Sequence, residues 1–347
     1  MANGNRLCTE LGTVLDELIA EGAFPGATLM VSVGGRIVAS VARGRLRAES
    51  GAAPVHIDTR YDLASVTKTF VSVAVVQLLE QGALALDDPA GRHLPELPPD
   101  KAVITIRQLL AHTGGLPVGQ ELHDLHHEPG PLRRALLEIP LEFPPGTRVL
   151  YSSLGYIFLG WIIERLTGTA LDRHLARAIF EPCRLQRTSF EPVGCQQPDV
   201  AATERRGDGV VIQGWVHDEK AQILGGITGH AGLFAPVADV LDFGEAVRCG
   251  DRLGLGDGWR LLFEDLTGGL APSRSAAFVI DDPVFSTFDA PVFSHTGFTG
   301  TSLCLVPTRR LVVSVLTNRV HPTRENDRIA GARTRIHRAV QELLATH

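Results

Sequence analysis

The chain has 347 residues, is 44% hydrophobic and 21% charged, and carries a formal net charge of −6 from 39 acidic and 33 basic residues. This is the balance of a globular protein long enough for a sizeable core. It lacks the clustered positive charge of a nucleic-acid binder. Its longest apolar run in the first half, residues 70–79, is about half of what a membrane span needs, so no nucleic-acid or membrane partner is expected.

The first ten residues are mostly polar where a signal peptide would be apolar, which predicts a cytoplasmic protein. Leu11, Val14, Leu15, Leu18 and Ile19 repeat at helical spacing, so residues 7–20 form an amphipathic helix. Two β-rich runs follow, 27–33 and 36–42, joined by Gly34-Gly35 as a hairpin. Residues 61–64 lead into Ser65, and a helical pattern covers 66–81 with Gly82 at its end. A Pro-rich surface stretch follows. Then come a short helix at 105–112 capped by Thr105, a polar loop at 119–130, and helices at 132–137, 154–166 and 171–179. Residues 182–230 are mixed and Gly-rich, and 237–247 are helical. The last quarter alternates β-runs at 277–280, 292–296, 301–306 and 311–316, closed by a helix at 325–345.

Strands at both ends with helices between them predict an α+β fold. Residues 1–80 and 231–347 would build one antiparallel sheet flanked by helices, residues 81–230 a mostly helical insert, and the site would lie at the seam. Cys8, Cys183, Cys195, Cys249 and Cys304 are odd in number with no close pair. That fits reduced thiols better than a disulfide framework or a zinc site. His123, His126, His127 and Glu128 lack ligand spacing and read as a solvated loop.

Three short segments carry chemistry. Ser65-Val66-Thr67-Lys68 opens a helix, and residues three apart share a helix face, so Lys68 reaches the Ser65 hydroxyl. A serine hydroxyl is a weak nucleophile that needs such a base. Alone, the same pattern reads as a helix cap beside a surface lysine more often than as a catalytic pair. Tyr151-Ser152-Ser153 follows a Pro-Pro-Gly turn, and by itself the tyrosine reads as a packing residue. His295-Thr296-Gly297, ahead of Phe298, ends one β-run and by itself reads as a hairpin.

Taken together, in this order, they resemble the serine β-lactamase and penicillin-binding-protein superfamily, in its class C β-lactamase-like branch of D,D-peptidases, esterases and transacylases. Residues 108–117, 155–160, 229–234 and 316–319 are similar to that branch as well. The resemblance implies an acylated Ser65, with Lys68 and Tyr151 as a coupled base that the sequence does not divide between them. It implies an oxyanion hole from the backbone N–H groups of Ser65 and Phe298. It places Ser153, His295, Thr296 and Gly297 against substrate. Apart from the resemblance, His217 and Asp218, ahead of Gly225-Gly226, are expected to line the pocket, and His112, in its His-Thr-Gly-Gly turn, and Asn318 are expected to be structural. Two positions depart from the family pattern: Ser153 stands for an asparagine and His295 for a lysine. A histidine is mostly uncharged at neutral pH, which is expected to weaken recognition of a β-lactam or a D-Ala-D-Ala carboxylate.

The expected activity is hydrolysis of a small ester or amide through acyl-Ser65, with no cofactor and no metal. The alternatives are transfer of the acyl group to an amine or alcohol, a D,D-peptidase or β-lactamase, and a non-enzymatic binder. The partner is a small acyl substrate. Segments 117–130 and 190–225 are expected to shape its pocket. The sequence sets neither the acyl group nor the oligomeric state.

Overall fold

The computed structural model describes residues 2–119, 122–190 and 199–345. Gly34 and Gly35 have φ of 60° and 78°, the left-handed values a two-residue hairpin turn demands. β1 (Gly26–Val33) and β2 (Arg36–Gly44) pair antiparallel across it. Three short strands, β3 (Tyr61–Asp62), β4 (Ser189–Phe190) and β5 (Leu233–Ala235), form a small sheet of their own in the order β3-β5-β4. β6 (Val279–Ile280), β7 (Phe293–Thr296), β8 (Ser302–Val306) and β9 (Leu311–Thr317) complete the main sheet, whose order is β2-β1-β9-β8-β7-β6. All its pairings are antiparallel. β1 pairs with β9 from Ala27 opposite Thr317 to Val33 opposite Leu311. The sheet is therefore built from both ends of the chain.

Two terminal helices cover one face. Leu7, Leu11, Leu15 and Leu18 of the Ala2–Ala20 helix are buried, as are Ile329, Ala332, Ile336 and Val340 of the Ile329–Ala345 helix. They repeat at helical spacing and pack on Leu29, Val31, Val313 and Val315 of the sheet. The Val237–Cys249 helix packs on the opposite face, and the Thr67–Glu80 helix lies against it. That central helix is buried from Thr67 to Leu78, as its apolar residues on every side require. Phe70 stacks on Phe243 with ring centroids 3.7 Å apart. Truncating so buried a phenylalanine to alanine costs about 3–5 kcal/mol.

Several boundaries differ from the sequence expectation. The run at 277–280 shortens to two residues, because Ser275 Oγ accepts the N–H groups of Ala277 and Phe278 and turns the chain. The last helix begins at Ile329, because Asn326 spends its side chain on the carbonyls of Gly22 and Ala23. The expected loop at 119–130 contains a helical turn, Leu122–Leu125, and a helix starting at Pro129. The helix at 171–179 passes through a π segment, Ala176–Phe180. Cys8, Cys183, Cys249 and Cys304 are free thiols, and Cys195 lies outside the described residues. Among the described residues no helix is long and apolar enough to cross a membrane.

Candidate active site

Ser65 sits in a single 3₁₀ turn, Ala64–Val66, between β3 and the central helix. Ala64 is forced to φ +46°, a conformation of order 1–3 kcal/mol above the ordinary wells for a residue with a Cβ. The surroundings hold it there. Asp62 Oδ1 accepts the Ala64 N–H at 2.8 Å, and its Oδ2 accepts the His217 N–H at 2.7 Å. Burial pushes the Asp62 carboxyl up to about 6, against the two N–H bonds that favour its anion.

One turn into the helix, Lys68 is fully buried. Its Nζ donates to Ser65 Oγ at 2.8 Å and to the His230 carbonyl at 3.1 Å. His230 is itself fixed on both ring nitrogens, by Asp218 Oδ1 and Thr228 Oγ1, each at 2.9 Å. Asp218 also caps the Glu219–Ile223 helix through the Ala221 N–H.

Tyr151 stands over this pair, with its ring centroid 5.0 Å from Lys68 Nζ. His112 lies 4.6 Å and His295 6.2 Å away, centroid to centroid. The Arg274 guanidinium carbon is 5.2 Å from the same ring. His112 Nδ1 accepts the Ser152 N–H at 3.2 Å, which leaves its proton on Nε2. Desolvation first, then Arg274 and Lys68, hold His112 well below its usual pKa. Desolvation, Lys68 and Arg274 do the same to His295. Both rings are neutral near pH 7. His295 Nδ1 faces the Thr296 carbonyl at 3.0 Å. A carbonyl only accepts, so His295 keeps Nδ1–H and offers Nε2 as an acceptor.

The segment after β7 closes over the Ser65 turn. Thr299 Oγ1 donates to the Asp62 carbonyl at 2.7 Å and Thr301 Oγ1 to the Leu63 carbonyl at 2.9 Å. Gly297 is required by this approach: a Cβ there would lie 2.0 Å from Thr301 Oγ1 and 2.5 Å from the Leu63 carbonyl. The backbone N–H groups of Ser65 and Phe298 have no acceptor among the described residues. They are the two donors that an oxyanion would need.

A cavity of 340 Å³ opens on this surface. Ser65, Tyr151, His295, Thr296, Gly297 and Phe298 line it, so six of the residues singled out in the sequence meet in one place. Lys68 lies just beneath. Two others do not reach it. Ser153 begins the Ser153–Thr167 helix and is not among the lining residues, while its neighbour Ser152 is spent on the Pro117 carbonyl and the Leu154 N–H. Asp218 faces His230 rather than the cavity. None of the described residues of 117–130 or 199–225 lines the cavity either, and 120–121 and 191–198 lie outside the described residues. Asn318 is structural: it accepts the Gly26 N–H and donates to the Leu46 carbonyl. Among the described residues no group of His, Cys, Asp or Glu could hold a metal ion.

The sequence reading missed three arginines in or at the cavity: Arg274, Arg319 and Arg333. Arg274 is 9% exposed, its Nε has no hydrogen-bond partner among the described residues, and Asp282 acts on it through charge alone. No local pattern marks Arg274 or Arg333, and Arg319 closes the 316–319 segment that resembles the family without a role being read for it there.

The family model described as Beta-lactamase matches residues 11–337. A putative D-alanyl-D-alanine carboxypeptidase of Escherichia coli (strain K12) is 31% identical, covering 86% of this chain and 79% of the relative. An N-acetylmuramyl-L-alanine amidase of Bacillus subtilis (strain 168) is 32% identical, covering 89% and 80%. Among solved structures, EstCE1, a hydrolase with promiscuous acyltransferase activity, superposes with a TM-score of 0.79 over 97% of this chain and 100% of that one, at 22% identity.

Proposed function

The chain belongs to the β-lactamase family of serine hydrolases, and from that premise we propose that it hydrolyses a small amide or ester through an acyl-Ser65 intermediate. The observation that carries this is the buried Lys68 Nζ held 2.8 Å from Ser65 Oγ, at the floor of a cavity edged by two backbone donors that have no acceptor among the described residues.

The steps follow from the placement. Substrate seats its carbonyl over Ser65 with the oxygen toward the N–H groups of Ser65 and Phe298. The Ser65 proton passes to the Lys68–Tyr151 pair as Oγ bonds the carbonyl carbon, and the negative charge moves to the oxygen. The intermediate collapses by breaking the bond to the amine or alcohol, which leaves with the proton. A water molecule then attacks the ester, returns its proton through the same pair, and frees the acid and Ser65. An amine or alcohol in place of that water gives transfer instead.

Arg274 indicates the substrate class. A guanidinium beside Tyr151 with no carboxylate paired to it among the described residues is costly to bury, and a substrate carboxylate would satisfy it as a charge-assisted pair. With His295 neutral, Arg274 supplies the cation for that carboxylate. The reading is therefore an amide or ester whose acyl or leaving side carries a negative group.

The test is a matched panel: an N-acyl amino acid amide with a free carboxylate elsewhere, the same compound with that carboxylate as a methyl ester, and neutral p-nitrophenyl esters. The carboxylate compound is expected to show a kcat/KM at least about tenfold above its methyl ester, the size of one charged hydrogen bond. Equal turnover of both would overturn the substrate class. No turnover of any, with no acylation of Ser65, would overturn the hydrolase reading.

A further inference from the structure

The Ile329–Ala345 helix belongs to the far face of the sheet, yet one of its side chains crosses to the active site. Arg333 is 8% exposed and lines the cavity beside Phe298. Its Nη2 donates to two carbonyls, those of Gly297 and Thr301, each at 2.9 Å, and its Nε has no partner among the described residues. Asp282 reaches it only through charge, and Arg319 repels it. A buried cation held by carbonyls alone is an expensive way to stabilise a helix. An apolar side chain of similar size would cost less.

The bond to Gly297 explains the arrangement. The Gly297–Phe298 peptide is trans, and in a planar trans peptide the carbonyl and the following N–H point to opposite sides. Pulling the Gly297 carbonyl toward Arg333 therefore turns the Phe298 N–H the other way. That N–H has no acceptor among the described residues. Its plane is set from behind, by Arg333 and by the Gly300 N–H, which reaches the same carbonyl at 3.1 Å. Arg319 holds the next carbonyl, that of Phe298, through Nε at 2.7 Å. Its guanidinium carbon also lies 4.3 Å from the Phe298 ring centroid.

We propose that Arg333 is a positioning residue for acyl transfer: it fixes the Gly297–Phe298 peptide so that the Phe298 N–H is pre-aimed at the developing oxyanion. Its charge, unneutralised and behind that peptide, adds a field that favours the negative oxygen. Preorganised donors act most strongly where charge develops, so the effect belongs to the transition state more than to substrate binding. The inference rests on the acyl-Ser65 reading and extends it to a residue on the last helix.

The test compares Arg333→Met and Arg333→Lys with wild type and with Arg338→Met, a surface change on the same helix. Four quantities are measured: kcat and KM on a p-nitrophenyl ester, the rate of Ser65 labelling by a fluorophosphonate, inhibition by a boronic acid that forms a tetrahedral adduct, and the melting temperature. For Arg333→Met, kcat and the labelling rate are expected to fall by about 10–100-fold, below the 10²–10³ lost when an oxyanion donor is removed outright. Boronate affinity should fall in parallel while KM moves less than about threefold, since uniform binding is untouched. Arg333→Lys should recover part of the loss. Arg338→Met should match wild type. A melting temperature that drops while kcat and boronate affinity hold would make Arg333 merely structural and overturn the proposal. Wild-type protein that fails to label at Ser65 would overturn the acyl-serine reading beneath it, an outcome read before any variant is compared.

Discussion

Lys68 Nζ and Ser65 Oγ are in hydrogen-bond contact at 2.8 Å, one helical turn apart, on a helix with no exposed face at that level. Its second partner, the His230 carbonyl, is held in place by the Asp218–His230–Thr228 chain. Replacing Lys68 by Met removes the only side chain bonded to the nucleophile among the described residues. It is expected to lower kcat/KM by about 10²–10⁴, the range for a positioned acid or base. Ester turnover with Ser65→Ala as the background measures this. A loss under tenfold would remove Lys68 from the proton path.

Tyr151 can be tested without disturbing its packing. Phenylalanine keeps the ring against His112 and Lys68 and deletes only the hydroxyl. The Tyr151→Phe variant should fold with an unchanged melting temperature and lose at least about 10² in kcat. A wild-type kcat would leave Lys68 as the sole base.

Arg274→Met is expected to discriminate between substrates. Against the carboxylate compound its kcat/KM should fall by about 10–100-fold, the worth of a hydrogen bond to a charged group, and against a neutral ester by much less. Raising ionic strength should erode only the first rate in wild type. Equal losses on both substrates would assign Arg274 to supporting Tyr151 instead.

Buried histidines set the acid limit. Desolvation is the main cause that holds His112, His230 and His295 below their usual value, and burial pushes His337 down to about 3. The unfolded chain takes up these protons near 6.5, so below that pH it binds more protons than the folded one and stability falls. Asp62 opposes this. Its carboxyl, raised to about 6, gains a proton in the folded state before it would in the unfolded chain. Burial lowers His174 and His321 as well and raises Asp242, so six histidines against two carboxyls among the described residues predict a melting temperature that falls between pH 7 and pH 5, read by thermal scans. A rise over that interval would contradict the burial argument.

The sequence showed the chemistry where it is local and hid it where it is assembled. Ser65 and Lys68 are coupled by helix geometry over three residues, and the β1–β2 hairpin by two glycines, so both are legible. Strands of two or three residues carry no period, so β4 and β5 leave no mark in the sequence, while β3 is expected only as the run that leads into Ser65. Ser153 and Asp218 fall short of the cavity because position in a motif does not tell a cap from a contact: Ser152 and Asp218 both spend side-chain oxygens on helix starts. Arg274, Arg319 and Arg333 converge from three separate segments of the last 80 residues or so, and only tertiary structure brings them together.

The most direct measurement is intact-protein mass spectrometry after mixing with p-nitrophenyl acetate and with a fluorophosphonate, for wild type and Ser65→Ala. Wild type should gain the mass of one adduct from each reagent, mapped to Ser65, and the variant should gain none. An unmodified wild type, or an adduct that persists in Ser65→Ala, would contradict the acyl-Ser65 account.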